Sequence, residues 1–347
     1  MKHPRIESDT MSKTFKIAII GAGGIANAHM AAAKDSGGRV EVVAVVDPIQ
    51  ESRSKLVAAA GQAADFADVD ALIKARKGGL VVEGVLVCTP PSVRVKIVEK
   101  CLKAGLPVLS EKPLASTLKD AKKLASLARK YKKVPTAIGY CHRFTPALHE
   151  MNRMAASGEL GTIVRFENFF ACDLPGHQSK WFSDPKKAGG GAFLDMGSHS
   201  IDLFHAMIGP GKPIASVFSN KWKGRTETAA TVVLKGSKKR NANIGAGVPG
   251  VIISGWAESS RFTVALVGDK AMVSYDYENP EVITVKDLLG KADVRPIKTC
   301  GVRFTDQLVA FANVVQIKAN NTGLATFEDG LAAAMVGEQA AKLAKKK

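Results

Sequence analysis

Phe15-Lys16-Ile17-Ala18-Ile19-Ile20-Gly21-Ala22-Gly23-Gly24-Ile25-Ala26 decides the fold. A short apolar run ends in glycines, and an Ala-rich helical pattern over Ile25 to Ala33 follows it. The pattern is G-x-G-x-x-A placed between a strand and a helix. Glycine there permits a tight turn and close backbone approach, and the helix N-terminus faces a pyrophosphate. A second β-branched run, Val40 to Val46, ends at Asp47, twenty-one residues past Ala26. A carboxylate at that place accepts hydrogen bonds from the adenosine ribose hydroxyls. Gly21, Gly23, Gly24, Ile25, Ala26 and Asp47 are therefore the candidate dinucleotide contacts. Pro48 and Ile49 put no basic residue directly beside the ribose, which favours NAD. Arg53 could reach a 2′-phosphate and keeps NADP open.

Outward from this stretch the alternation continues. Helices are expected over Glu51 to Ala60, Val69 to Arg76, Val93 to Ala104 and Thr117 to Tyr131, and strands over Gly84 to Cys88, Pro107 to Leu109 and Thr136 to Tyr140. Strands alternating with helices indicate a parallel sheet. After about residue 145 strand-like stretches follow one another: Thr162 to Ala171, Ile214 to Lys223, Thr226 to Leu234, Val251 to Ala257, Phe262 to Tyr277 and Val282 to Val285. They predict a large, mostly antiparallel sheet. Two helices, Thr305 to Lys318 and Phe327 to Lys345, close the chain. The fold class is α/β: a flexible arm over 1–13, a Rossmann dinucleotide-binding domain over 14–145 and an α/β substrate and oligomerisation domain over 146–347.

The chain has 347 residues, 46% hydrophobic and 23% charged. That is the make-up of a globular protein, not of a disordered one. No apolar run reaches the ~18 residues that a membrane span requires. The five cysteines, Cys88, Cys101, Cys141, Cys172 and Cys300, are scattered without a CxxC pair. This argues against a zinc site or disulfide framework and for a reducing, cytoplasmic setting. The formal net charge is +17. Between Arg94 and Lys133 stand 12 basic and 3 acidic residues, with Lys119, Lys122, Lys123, Arg129, Lys130, Lys132 and Lys133 on or just after one amphipathic helix. Such runs are solvated helix faces, and no nucleic-acid motif accompanies them. Neither nucleic acid nor membrane is expected as a partner. A positive field can still draw in an anionic cofactor or a phosphorylated sugar.

Three further clusters carry chemistry. Thr89 and Pro90, in Cys88-Thr89-Pro90-Pro91, lie beyond a strand end, where open α/β sheets bind ligands. Glu111-Lys112-Pro113 ends the next strand, and the proline restricts where Lys112 emerges. Gly189-Gly190-Gly191-Ala192-Phe193-Leu194-Asp195-Met196-Gly197-Ser198-His199 sets a carboxylate and an imidazole one helical turn apart. Histidine is the natural acid/base near neutral pH, and the glycines would let the backbone approach a ligand. Asp202 and His205 read as structural.

Together with Tyr140-Cys141-His142-Arg143-Phe144 and the Trp181 to Pro185 stretch, this order of motifs resembles the glucose–fructose oxidoreductase/inositol dehydrogenase (Gfo/Idh/MocA) family, from about Lys16 to Lys345. The resemblance implies NAD(P)-dependent hydride transfer to or from a secondary alcohol of a sugar, cyclitol or related polyol. It also implies a homodimer or homotetramer through the C-terminal sheet. Lys112 matches the lysine of the family's Glu-Lys-Pro motif, with Glu111 beside the cofactor. Asp195 and His199 match its Asp-x-x-x-His pair. In that scheme His199 takes the hydroxyl proton, Lys112 stabilises the developing oxyanion and Asp195 orients His199 or holds a neighbouring hydroxyl. Arg143, His177 and Trp181 fall on the substrate side. His142 stands where many members carry a second basic residue. Two alternatives remain open on the motifs: glycoside cleavage through transient oxidation, and a dinucleotide-sensing regulator without turnover.

Overall fold

A computed structural model describes residues 13–298, 302–320 and 322–345. The arm expected over 1–13 lies outside the described residues except for Lys13, as do Cys300, Lys346 and Lys347. The first part of the chain alternates as β1 (Phe15–Ile20), α1 (Gly24–Asp35), β2 (Val40–Val46), α2 (Gln50–Ala60), β3 (Ala64–Phe66), α3 (Val69–Lys77), β4 (Gly84–Val87), α4 (Arg94–Lys103), β5 (Val108–Ser110), α5 (Leu118–Lys130) and β6 (Thr136–Ile138). Then come α6 (Pro146–Ser157), β7 (Ile163–Asp173), α7 (Pro185–Ala188) and α8 (Ala192–Met207). Seven strands follow: β8 (Gly211–Ser219), β9 (Ala229–Gly236), β10 (Pro249–Gly255), β11 (Ala257–Gly268), β12 (Ala271–Asp276), β13 (Val282–Asp287) and β14 (Ala292–Pro296). Helices α9 (Arg303–Ile317) and α10 (Phe327–Ala344) end the described chain.

Two compact units result. One holds the described residues of Met1–Phe144 and Gly301–Leu331, the other those of Thr145–Cys300 and Ala332–Lys347. In the first unit six strands run in the order β3-β2-β1-β4-β5-β6, all parallel. The order reverses between β1 and β4, and a doubly wound sheet binds its ligand beyond the carboxyl ends of the strands at that point. β1 and β4 are short apolar runs because parallel strands are covered on both faces. Phe15, Ile19, Val85 and Val87 are fully buried.

The C-terminal return differs from the expectation that 146–347 stands together. α9 packs Leu308, Phe311 and Ala312 into the first unit's core, with Phe311 edge-on to Phe15 at 5.8 Å. Its apolar face has more surface to bury there than its position in the chain suggests. β3 escapes pattern reading because it is three residues long and not fully buried.

The second unit's eight strands run β14-β13-β12-β11-β7-β10-β9-β8, and only the β7–β10 pair is parallel. Phe262 to Tyr277, expected as one strand, is a hairpin. β11 and β12 pair Val267 with Met272 across Asp269-Lys270, and β14 adds an edge strand unseen in the sequence. α8 seats Phe204 edge-on against Phe166 of β7 at 5.6 Å.

Truncating the ring that joins α9 to β1 tests this packing. Phe311→Ala should cost about 3–5 kcal/mol, read as a lower urea midpoint for the first unit. A change below about 0.5 kcal/mol would place α9 outside its core.

Candidate active site

The loop after β1 is shaped by contact with the loop after β4. Gly21 has φ +97°, and a Cβ there would stand 2.9 Å from the Cys88 carbonyl carbon and the Thr89 nitrogen. No L side chain fits. Gly23 caps α1 without a side-chain bond, the first turn of α1 carries no acid, and a Cβ on Gly23 or Gly24 would meet nothing within 4 Å. The start of a twelve-residue helix thus has open space beside its glycines, a place fitted to a pyrophosphate. Ala26 is fully buried beneath the turn and Ile25 packs on the core.

Asp47 sits at the end of β2. Its Oδ2 accepts from the Ala22 N–H at 2.8 Å and its Oδ1 from the Ile49 N–H at 2.8 Å. It ties the glycine loop to β2, and each oxygen keeps acceptor capacity for a ribose hydroxyl. Arg53 donates from Nε to Asp65 Oδ2 at 2.8 Å and from Nη1 to the Asp47 carbonyl at 2.7 Å. Beyond β4, Thr89 Oγ1 is buried with no protein partner, and Pro90 is half-buried before a short 3-10 turn.

Behind these loops lies a buried ionic cluster that sequence reading did not single out. Arg94, counted there among the surface cations, is 3% exposed. Its guanidinium donates to the carbonyls of Thr89, Glu111 and Pro113, which joins the loops after β4 and β5. Burial lowers its pKa to about 10, against the pull of the Glu111 charge, so it stays cationic at neutral pH. Glu111, also 3% exposed, accepts a hydrogen bond at 2.8 Å from Nε2 of the fully buried His29 on α1, and the Lys112 N–H at 3.0 Å. Burial pushes the carboxyl up. His29, Lys112 and Arg94 together outweigh that and hold it below the ordinary glutamate value.

Of its members only Glu111 belongs to a motif, Glu111-Lys112-Pro113; the other two are traced in the sequence by placement alone. His29 falls on the buried side of α1, and Arg94 directly follows the Thr-Pro-Pro loop. Lys112 follows at the end of β5, half-buried, and its bond to Pro113 is cis. His142 is 8% exposed, and burial with the charges of Arg303 and Lys112 pushes its imidazole well below the usual range. It is therefore neutral at pH 7. Arg143, expected beside the substrate, pairs with Asp329 at 3.5 Å with its side chain 11% exposed.

In the second unit, the Gly189 to Gly191 run opens α8. Its glycines serve the helix start, where a ligand approach was expected. A Cβ on Gly191 would stand 2.1 Å from the Glu227 carbonyl oxygen. Glu227 Oε1 accepts the Gly191 and Phe193 N–H groups at 2.8 and 3.2 Å, capping α8 from a distant segment. Burial raises its pKa, with only backbone donors opposing. Asp195 and His199 stand one turn apart on α8, and His199 is 8% exposed. Asp195 Oδ2 accepts from the indole of the fully buried Trp256 at 3.1 Å, a partner the motif did not reveal. Trp222 stacks on Trp256 at 6.1 Å. His177 and Trp181 each stack against Phe182, at 4.5 and 4.0 Å, and His177 also meets Trp256 at 5.3 Å. Asp202 is buried within α8.

Residues 15–140 match the model of an oxidoreductase family with an NAD-binding Rossmann fold, and residues 148–274 match the GFO/IDH/MocA C-terminal domain. Fold and motifs define an NAD-binding Rossmann unit joined to a second, mostly antiparallel unit. The chain belongs to the GFO/IDH/MocA family. It is 35% identical over 195 residues to the rhizopine catabolism protein MocA of Rhizobium meliloti, covering 56% of this chain and 57% of that one. It is 30% identical over 208 residues to D-glucoside 3-dehydrogenase of Escherichia coli, covering 59% and 57%. The chain thus spans somewhat over half the length of these relatives. A levoglucosan dehydrogenase solved with NADH and levoglucosan shares the fold, with a TM-score of 0.82 at 18% identity over 96% of this chain and 98% of that one. No helix among the described residues is long and apolar enough to cross a membrane.

Removing one partner of the buried cluster should be costly. Arg94→Met takes a buried positive charge from beside Glu111 and leaves the carbonyls of Thr89, Glu111 and Pro113 short of a donor, and should destabilise by about 3–5 kcal/mol. Because the native Glu111 value is depressed, its ionisation stabilises the fold fully above the unfolded value of about pH 4.3, and that part is lost as pH falls through the native value. The pH-dependent stability gap between wild type and Glu111→Gln should therefore close on acidification. A gap that widens there would contradict the assigned charges.

Proposed function

We propose that this chain catalyses NAD-dependent hydride transfer between the nicotinamide and a secondary alcohol or ketone of a sugar, cyclitol or related polyol. The observation that carries the reading is the buried Arg94–Glu111–His29 cluster. It fixes the two loops at the reversal of strand order, the buried Arg94 guanidinium through their carbonyls and the Glu111 carboxylate through His29, with Lys112 next in the chain. Bound nicotinamide supplies the hydride-accepting chemistry. Lys112 stabilises negative charge developing on the substrate oxygen, and His199 takes its proton. Asp195, fixed by Trp256, orients His199 or holds a neighbouring hydroxyl. His177, Trp181 and Arg143, the last paired with Asp329 at 3.5 Å, stand on the substrate side in this reading. The stacked His177–Phe182–Trp181 rings suit the C–H face of a sugar ring, and the names of the glucoside and levoglucosan dehydrogenases support that class.

NAD is the preferred cofactor because Asp47 puts a carboxylate at the ribose position. Exposed Val164, Ile214 and Val217 on the large sheet support self-association as a dimer or tetramer. The buried thiols of Cys88, Cys101 and Cys141 suit a reducing cytoplasm.

Lys112→Ala and His199→Ala should each keep NADH binding and lose about 10²–10⁴ in turnover, measured as NADH formation beside calorimetric binding. Full activity in both variants would sink the assignment.

A further inference from the structure

Three charged side chains meet at the adenosine end of the glycine loop, and only one belongs to the dinucleotide motif. Asp47 ends β2. Arg53 comes from the first turn of α2. Asp65 comes from β3, the edge strand that the sequence pattern did not disclose. β3 pairs Asp65 with Val45, and the Phe66 carbonyl accepts the Asp47 N–H at 3.1 Å, so β3 sets Asp65 beside the end of β2. From there Asp65 Oδ2 takes the Arg53 Nε–H at 2.8 Å, while Arg53 Nη1 is held by the Asp47 carbonyl at 2.7 Å. The Arg53 side chain is 12% exposed and that of Asp65 49%.

A Rossmann chain that takes NADP uses an arginine near the ribose to receive the 2′-phosphate. This chain has such an arginine within the same turn, and it is already bonded. The corner as a whole holds two carboxylates against one guanidinium, a net repulsion for a phosphate. We propose that Asp65 is a cofactor-specificity residue: by holding Arg53 and adding the second carboxylate, it excludes the 2′-phosphate of NADP. The proposal rests on the dinucleotide reading of the glycine loop and deepens it. Asp47 receives the ribose hydroxyls, and Asp65 denies the alternative ligand its cation. An ion pair with a half-exposed acid is weak in water, so the effect is a modest discrimination and not an absolute one.

The test is calorimetric binding of NADH and NADPH to the full chain. It needs no substrate and does not depend on turnover. Wild type should bind NADH more tightly. Asp65→Asn keeps the shape and removes the charge, and should raise the NADPH-to-NADH affinity ratio about tenfold. Adding Arg53→Ala to that variant should return the ratio towards wild type, because the gain works through the released guanidinium. An unchanged ratio in Asp65→Asn overturns the proposal, and so does a gain that survives without Arg53 or a wild type that prefers NADPH. A wild type that binds neither dinucleotide overturns the cofactor reading itself, and the proposal with it.

Discussion

A carboxylate that water barely reaches organises the end of the first sheet. An unpaired buried charge would protonate or unfold its surroundings. Glu111 stays ionised because His29, the Lys112 N–H and the Arg94 charge each face it. Satisfying it brings four pieces of chain together: α1 supplies His29, the start of α4 supplies Arg94, the loop after β5 supplies the acid, and β6 is followed by Gly139. A Cβ on Gly139 would stand 2.9 Å from Glu111 Oε1, so the residue there has no side chain to offer. Arg94 donates to the carbonyls of both loops. The position of Lys112 is the by-product of that accounting for buried polar groups.

The second unit has an acid with a parallel task and the opposite electrostatics. Glu227 also binds backbone N–H groups, at the start of α8, but no cation stands among its partners. Backbone donors alone do not outweigh burial there, and its pKa rises where that of Glu111 falls. Backbone donors alone leave desolvation ahead at Glu227, whereas at Glu111 the His29 hydrogen bond and nearby positive charge together overcome it. α8 thereby has its N-terminus secured from outside, and Asp195 one turn further on is fixed by the Trp256 indole.

Much of this could be read from the chain. Gly21, Gly23, Asp47 and the strand–helix alternation around them are local features, and their spacing carries the dinucleotide reading unaided. The antiparallel texture after residue 145 was equally plain. What stayed hidden is long-range. Arg94 looks like one more cation in a basic run, because no local pattern distinguishes a buried guanidinium from a solvated one. Glu227 lies 36 residues past Gly191, whose N–H it accepts at the start of the helix. Asp65 sits on a three-residue strand too short to show a period. The Gly189 to Gly191 run was legible as backbone needing close approach, and at Gly191 the segment of Glu227 makes such an approach.

The net charge of +17 changes meaning in this light. Lys119, Lys122, Lys123, Arg129, Lys130, Lys132 and Lys133 are exposed, whereas Arg94 and Lys112 from the same run are drawn into the machinery at the strand ends. In the proposed function this machinery passes a hydride to or from a carbohydrate-like alcohol. The most direct measurement is NADH absorbance after mixing the protein with NAD and a panel of glucosides, cyclitols and phosphorylated sugars. Steady NADH formation with at least one member is the predicted result. Protein that binds NADH but yields none with any member would contradict the claim.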